Sequence, residues 1–473
     1  MPQLLCIAFA LGLAVVGATA VEARTGPPNV VLVLIDDMGW SDLGCCGSRF
    51  HETPQIDRLT TQGVRFTDFY AAGAVCSPTR CSIQSGQYQA RLQITDFIPG
   101  HTFPYEKLIV PPVRGELPLE VITPAELLQP AGYVSGYFGK WHLGGDGFLP
   151  SEQGYDVSLV SNGRHFAPGF RTTPKVNVPD GTYLADFLTT QTIDFMRRHQ
   201  SQPFFVQLSH FAVHIPLEAK PDLIAKYEAK TPPPDGINNP IYAAMCEHVD
   251  QSVGRLMSAL DDLNLADNTM LIVTSDNGGL RQTAGGGGPL VCSNAPLRDE
   301  KGSLYEGGIR VPLLIRWPGI AKAGAICAEP TMSVDFWPTI AELAAQPLPK
   351  DSPIDGVSLL PVLRNPDARL ERDAIYWHFP HYHHSRPAGA IRARDWKLIE
   401  FYDETPAELY HLAEDLSEKQ DLAAAQPDRV ARMKAQLAAW RSSVNAVMPT
   451  PNPNYDPRKS GHKGKRKQRE TAE

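Results

Sequence analysis

Asn29-Val30-Val31-Leu32-Val33-Leu34-Ile35-Asp36-Asp37 is the stretch from which the architecture can be read. A short β-branched apolar run marks a strand buried on both faces, as in sheets covered by helices on either side. The run ends in two adjacent carboxylates, and open α/β sheets place ligands outside the carboxyl ends of their strands. Neighbouring anions repel unless a cation neutralises them, and carboxylate oxygens are what Ca2+ and Mg2+ prefer. The alternative is a solvated acid pair in a loop. Buried-strand runs recur at 133–138, 203–209, 269–275 and 311–317. Between them lie helical patterns, among them one opening at Pro54 and one over 243–260 with Val249, Val253, Leu256 and Leu260 on a single face. The 63–70 stretch is expected as one strand. The alternation predicts an α/β fold.

The polar segments after these runs carry the chemistry. Gly139-Lys140-Trp141-His142 follows one strand, His210-Phe211-Ala212-Val213-His214 another, and Asp276-Asn277-Gly278-Gly279 a third. Between the 29–35 and 133–138 runs stands Ala74-Val75-Cys76-Ser77-Pro78-Thr79-Arg80, a C-x-P-x-R arrangement that opens a predicted helix over 79–86. A helix start offers free N–H groups and partial positive charge to an anion. Lys301 lies in a further block, 296–310. Singly, each of these residues could be structural: Arg80 a surface arginine, Lys140 and His142 ordinary strand-end residues.

Taken together, in this order, the blocks make the chain similar to the type I sulfatases from about residue 28 to about residue 450. The resemblance implies an alkaline-phosphatase-like mixed central sheet flanked by helices, with a small C-terminal α+β subdomain. It implies that Cys76 is oxidised to formylglycine by a maturation enzyme. The hydrated aldehyde attacks sulfur with one oxygen and expels sulfate with the other, which a thiol cannot do. It implies Ca2+, or Mg2+, held by Asp36, Asp37, Asp276, Asn277 and the residue at 76. Lys140, His142, His214 and Lys301 would surround the sulfate, and Arg80 would orient the nucleophile. The expected reaction is hydrolysis of a sulfate monoester, with a sulfated carbohydrate such as galactose or N-acetylgalactosamine sulfate as the expected substrate. A phosphonate or phosphate diester hydrolase of the same superfamily and a sulfated-glycan-binding homologue without turnover are the alternatives. A zinc phosphatase would need a Ser or Thr nucleophile in place of Cys76.

Composition agrees with an ordinary globular enzyme. Of 473 residues, 42% are hydrophobic and 20% charged, and the net charge of −8 argues against a nucleic-acid partner. With 38 glycines and 42 prolines, the chain is built on many ordered loops rather than a helical bundle. Residues 1–23 read as a signal peptide, with an apolar run ending Ala18-Thr19-Ala20, although the only positive charge before it is the terminal amine. No later run is apolar enough to span a membrane, so the expected destination is periplasmic or extracellular. Export permits disulfides among Cys45, Cys46, Cys81, Cys246, Cys292 and Cys327, without fixing a pairing. The catalytic domain is expected over 24–370, the subdomain over 371–448, and a basic disordered tail over 449–473. The histidine-rich stretch 378–386 allows either metal binding or substrate contact. His378, His381 and Arg386, with His210, are expected to touch substrate. Gly285–Gly288 are expected in a loop beside the site.

Overall fold

A computed structural model describes residues 26–234, 237–282 and 289–460. The expected signal peptide and the Gly285–Gly288 loop lie outside the described residues. Nine strands form the main sheet: β1 (Asn29–Ile35), β2 (Val64–Phe66), β3 (Val134–Gly139), β4 (Val157–Gly163), β5 (Phe170–Thr173), β6 (Phe204–Ser209), β7 (Thr269–Ser275), β8 (Leu313–Arg316) and β9 (Ala325–Cys327). Their order is β9-β2-β8-β7-β1-β6-β3-β4-β5. The five central strands β7, β1, β6, β3 and β4 run parallel, with Val31 opposite both Val206 and Leu271, while β8 and β5 are antiparallel to their neighbours. Parallel strands point their carboxyl ends to one edge of the sheet. That topology collects four of the polar segments noted above at a single place.

β1 shows why the apolar run has no polar break. Val31, Val33 and Ile35 face one core, shared with helices α1 (Pro54–Gln62), α3 (Leu184–Arg198) and α4 (Pro240–Asp262). Val30, Leu32 and Leu34 face a second, shared with helices α2 (Cys76–Ser85) and α5 (Phe336–Leu343). Period-2 alternation therefore buries both faces, at ~1.5–3 kcal/mol for each fully buried aliphatic side chain. The 63–70 stretch is not one strand. Val64–Phe66 joins the main sheet, whereas Phe69–Tyr70 pairs with Thr331–Met332 in a separate two-stranded ladder. Thr67 and Asp68 make the break, with the Asp68 carboxylate held by Arg310 and Arg392.

A second, antiparallel sheet holds β10 (Ile375–Phe379), β11 (Ala388–Ala393), β12 (Trp396–Phe401) and β13 (Glu408–His411), covered by helix α6 (Pro427–Ser443). Trp377 donates its indole N–H to the Ala71 carbonyl across 306 positions of sequence. Beside it, Lys397, fully buried, pairs with Glu306 at 2.8 Å and Glu418 at 2.9 Å. Buried charges persist only when so compensated, and here the compensation ties the C-terminal sheet to the short helix Glu306–Ile309. Residues 449–460, expected in a disordered tail, are instead fixed: Thr450–Pro451 pairs with Leu108–Ile109, and Ser460 donates to Glu106. The expected tail beyond them lies outside the described residues. All seven described cysteines are free thiols.

Candidate active site

Cys76 is the first residue of α2, a helix every residue of which is buried. Its N-cap, Val75, supplies no side-chain oxygen, so the helix start faces the site without an internal cap. Two ammonium groups reach the Cys76 sulfur, Lys140 Nζ at 3.5 Å and Lys301 Nζ at 3.6 Å. Lys140 also donates to Asp36 at 2.5 Å, and Lys301 to both Asp37 oxygens at 2.6 and 2.9 Å. Burial opposes charge on Asp36 and Asp37, yet Lys140 holds Asp36 well below the usual carboxylate range and Lys301 lowers Asp37. Burial pushes the Cys76 thiol up to about 11 despite both lysines, so the unmodified residue is a neutral thiol at pH 7.

Arg80, 1% exposed, gives Nε and Nη2 to one oxygen of Asp276 at 3.0 and 2.7 Å, and Nη1 to the Lys140 carbonyl at 2.7 Å. It thereby ties the helix of Cys76 to the ends of β7 and β3 and fixes the backbone from which Lys140 reaches. The other Asp276 oxygen accepts the Asp37 N–H at 3.2 Å. Asp37 takes a left-handed conformation, φ 63°, a rare choice for a non-glycine residue. Asn277 donates its amide to Asp37 at 2.7 Å.

Two buried oxygens at this centre, Asp36 Oδ1 and Asn277 Oδ1, have no hydrogen-bond partner. Orphaned acceptors beside clustered carboxylates fit a hard cation with oxygen ligands. Ligand atoms of Asp36, Asp37, Cys76 and His214 lie within 4.8 Å of one another.

Both site histidines have fixed tautomers, because a carbonyl can only accept. His142 donates Nε2–H to the Ile98 carbonyl at 2.7 Å, leaving Nδ1 bare, buried and unpartnered. His214 donates Nδ1–H to the Ile215 carbonyl at 2.6 Å, leaving Nε2 3.7 Å from Asp37. Burial lowers the two to about 3 and about 4, with Lys140 adding to the effect at His142 and Asp37 opposing it at His214. Each therefore presents a neutral imidazole with one open nitrogen, the form suited to accepting a proton.

These groups form the floor of a cavity of about 810 Å³. Of the residues expected at the nucleophile and the ion, Arg80, Asp36, Asp37, Asp276 and Asn277 are joined behind the lining by the bonds above, and Cys76, Lys140, His142, His214 and Lys301 line the cavity. The four expected substrate contacts do not. His210 is fully buried and bonded to Ser252, facing the helix core. His378 lies inside the C-terminal sheet between Tyr402 and the Val447 carbonyl. His381 is bonded to Thr95 and lies 3.9 Å from Asp96. Arg386 is held by Asp403 and Thr405. From that stretch it is His383 and His384 that line the cavity, with Phe97, His101 and Phe103 beside them.

Sequence reasoning also passed over His165. It donates Nε2–H to the His214 carbonyl at 2.9 Å and stacks on Phe211 at 4.7 Å; Phe211 in turn stacks on His214 at 5.1 Å. Nothing in the local sequence marks this residue, since it lies 49 positions from its partner.

Comparison with known proteins agrees with this geometry. The family model described as Sulfatase matches residues 28–346, and one described as N-sulphoglucosamine sulphohydrolase, C-terminal, matches residues 299–443. The chain is similar to a sulfatase of Formosa agariphila, 32% identical over 89% of each chain. It is also similar to human arylsulfatase A, 33% identical over 84% of this chain and 77% of that one. The crystal structure of Ps i-CgsB aligns with a TM-score of 0.77 at 27% identity, over 93% of this chain and 96% of that one, and the same protein is known in complex with k-i-k-neocarrahexaose.

Proposed function

Because the chain belongs to the sulfatase family and is a sulfuric ester hydrolase, we propose that it cleaves the S–O bond of a sulfated carbohydrate, using Cys76 after its oxidation to formylglycine. The observation that carries this reading is the pair of ammonium groups 3.5 and 3.6 Å from the Cys76 sulfur, at the open start of a buried helix. A hydrated aldehyde at that position supplies two oxygens, one to accept the sulfuryl group and one whose lone pair later expels sulfate. Asp36, Asp37, Asp276 and Asn277 would hold Ca2+, with Mg2+ the alternative, and the ion would supply positive charge beside the nucleophile.

The remaining work falls to this chain's own side chains. Lys140 and Lys301 neutralise the sulfate oxygens, and fixed donors of this kind contribute ~3 kcal/mol each when charge develops in the transition state. Arg80 keeps the Cys76 helix, Asp276 and Lys140 in register. The open Nε2 of His214, 3.7 Å from Asp37, can take the proton of the attacking diol hydroxyl and hand it to the departing alcohol oxygen. The bare Nδ1 of His142 is the acceptor for the proton released as sulfate leaves. Galactose or N-acetylgalactosamine sulfate is the proposed substrate. Support for a carbohydrate comes from the likeness to a protein that binds k-i-k-neocarrahexaose.

The same reading includes export by the 1–23 segment to the periplasm or beyond and maturation by a formylglycine-generating enzyme. Among the described residues, no helix is long and apolar enough to cross a membrane. The test is sulfate release by protein co-expressed with a formylglycine-generating system, in calcium, against Cys76→Ala. Mass analysis of the residue-76 peptide and circular dichroism run alongside. The variant is expected to keep its fold and lose turnover; an active alanine variant would sink the mechanism. Faster hydrolysis of a phosphodiester than of any sulfate ester would move the assignment to the sister activity.

A further inference from the structure

We infer that the alcohol half of the substrate is an uncharged ring, so that the scissile sulfate is the one anion this cavity receives. The inference rests on the sulfatase reading and concerns the walls above the sulfur-binding floor. One wall is a continuous face of rings. Phe97 and His101 lie 4.7 Å apart, His101 and Phe103 5.4 Å, and His101 and His383 5.1 Å. Asp96 preorganises this face, its carboxylate accepting the Phe97 N–H at 2.9 Å and the His101 N–H at 3.4 Å. Leu149, Val160, Phe211 and Ile215 also line the cavity, with Asn162 as a neutral polar group.

The distribution of cations decides the class. Lys140 and Lys301 are the only lysines or arginines lining the cavity among the described residues. Both are committed to the floor, each within 3.6 Å of the Cys76 sulfur and paired with Asp36 or Asp37. Among the described residues, the only other lysine, arginine or carboxylate side chain on the lining is Asp146, an acid. A second sulfate or a uronate carboxylate entering here would leave water without a cationic partner from lysine or arginine, and an anion buried so is heavily penalised. An uncharged sugar or arene would instead lay an apolar face on the rings and offer hydroxyls to Asn162.

Binding is measured by calorimetry on Cys76→Ala protein in calcium, with 4-nitrophenyl sulfate and with galactose monosulfate and disulfate isomers as probes. The best monosulfate is expected to bind at least tenfold tighter than any disulfate. Asn162→Arg, which places a guanidinium on the neutral wall, should narrow that gap to threefold or less. Phe103→Ala should weaken the monosulfated sugar at least fivefold. A disulfate that binds as tightly as the best monosulfate to the otherwise unaltered wall would overturn the inference. Turnover by matured wild-type enzyme reads the premise separately: no sulfate released from any ester, with the binding preference kept, would remove the hydrolase reading and leave the preference of the wall standing.

Discussion

Replacing Lys301 with methionine separates two roles that one ammonium group holds. In the resting site Lys301 is the main counter-ion of Asp37, at 2.6 and 2.9 Å from its two oxygens, and Asp37 is only 2% exposed. Lys301→Met fills nearly the same volume but leaves a buried carboxylate without its partner, a change that costs ~3–5 kcal/mol. Unfolding entropy near ~2.1 cal/mol/K per residue gives ~1 kcal/mol/K for a chain of this length, so the melting temperature in chelator should fall about 3–5 °C. Calcium should close much of that gap. A cation on the acid cluster neutralises Asp37 in the variant and adds ~2.7 kcal/mol of native-state binding at a hundredfold excess over its dissociation constant. Activity should behave differently. The ammonium that meets a sulfate oxygen is gone whether or not the cluster is filled, so kcat/KM should fall by ~10²–10³ and stay there in calcium. Differential scanning fluorimetry in chelator and in calcium, beside sulfate release, reads both. A variant that melts within about 1 °C of wild type in chelator and keeps kcat/KM within about threefold would refute the reasoning.

Two further outcomes are expected. Burial raises the Asp96 carboxyl to about 7, against an ordinary value of 3.8, with its two backbone hydrogen bonds opposing the shift. The folded state then binds more protons than the unfolded state between those values, so stability should fall as pH rises from about 4 to about 7. Asp96→Asn should flatten that stretch of a melting-temperature profile, and an unchanged slope would assign it to other groups. His165→Phe keeps the ring stack under His214 but removes the N–H given to the His214 carbonyl. One net hydrogen bond is worth ~0.5–1.5 kcal/mol, so kcat/KM should fall roughly three- to tenfold on sugar sulfates. The loss should be smaller on 4-nitrophenyl sulfate, whose leaving group needs no proton; an equal loss on both would make His165 merely structural.

What the sequence disclosed and what it hid follow from the range of the interactions concerned. β1, β3, β6 and β7 are buried on both faces, so their apolar runs stand out, and the residues just beyond their carboxyl ends had to meet because those strands are parallel. That Asp36, Asp37, Lys140, His142, His214, Asp276 and Asn277 share one edge of the sheet was legible for that reason, while their roles came from the family resemblance. Cys76, Arg80 and Lys301 were legible through family resemblance, since no strand end announces them. The cavity walls were not legible. In the 378–386 stretch, His378 closes a strand whose neighbours bury it under Tyr402, whereas His383 and His384, past the turn at Pro380, reach the opening. Composition alone cannot say on which side of that turn a histidine becomes useful. Phe97, His101 and Phe103 sit in a loop with no periodicity to read. Thr67 and Asp68 broke an expected strand because Asp68 is drawn to Arg310 and Arg392, and Arg392 lies 324 positions further along the chain.

The indole of Trp377 closing over Ala71 also has a meaning in time. Ribosomes add ~5–20 residues per second, so the 306 positions between these partners take roughly 15–60 s to synthesise. Throughout that interval the segment leading into Cys76 exists without the strand that covers it, and the ion pairs of Lys397 have no lysine. A helix with no exposed residue in the finished protein is thus an open peptide for most of its own manufacture, and any enzyme that must reach its first residue has that interval in which to do so.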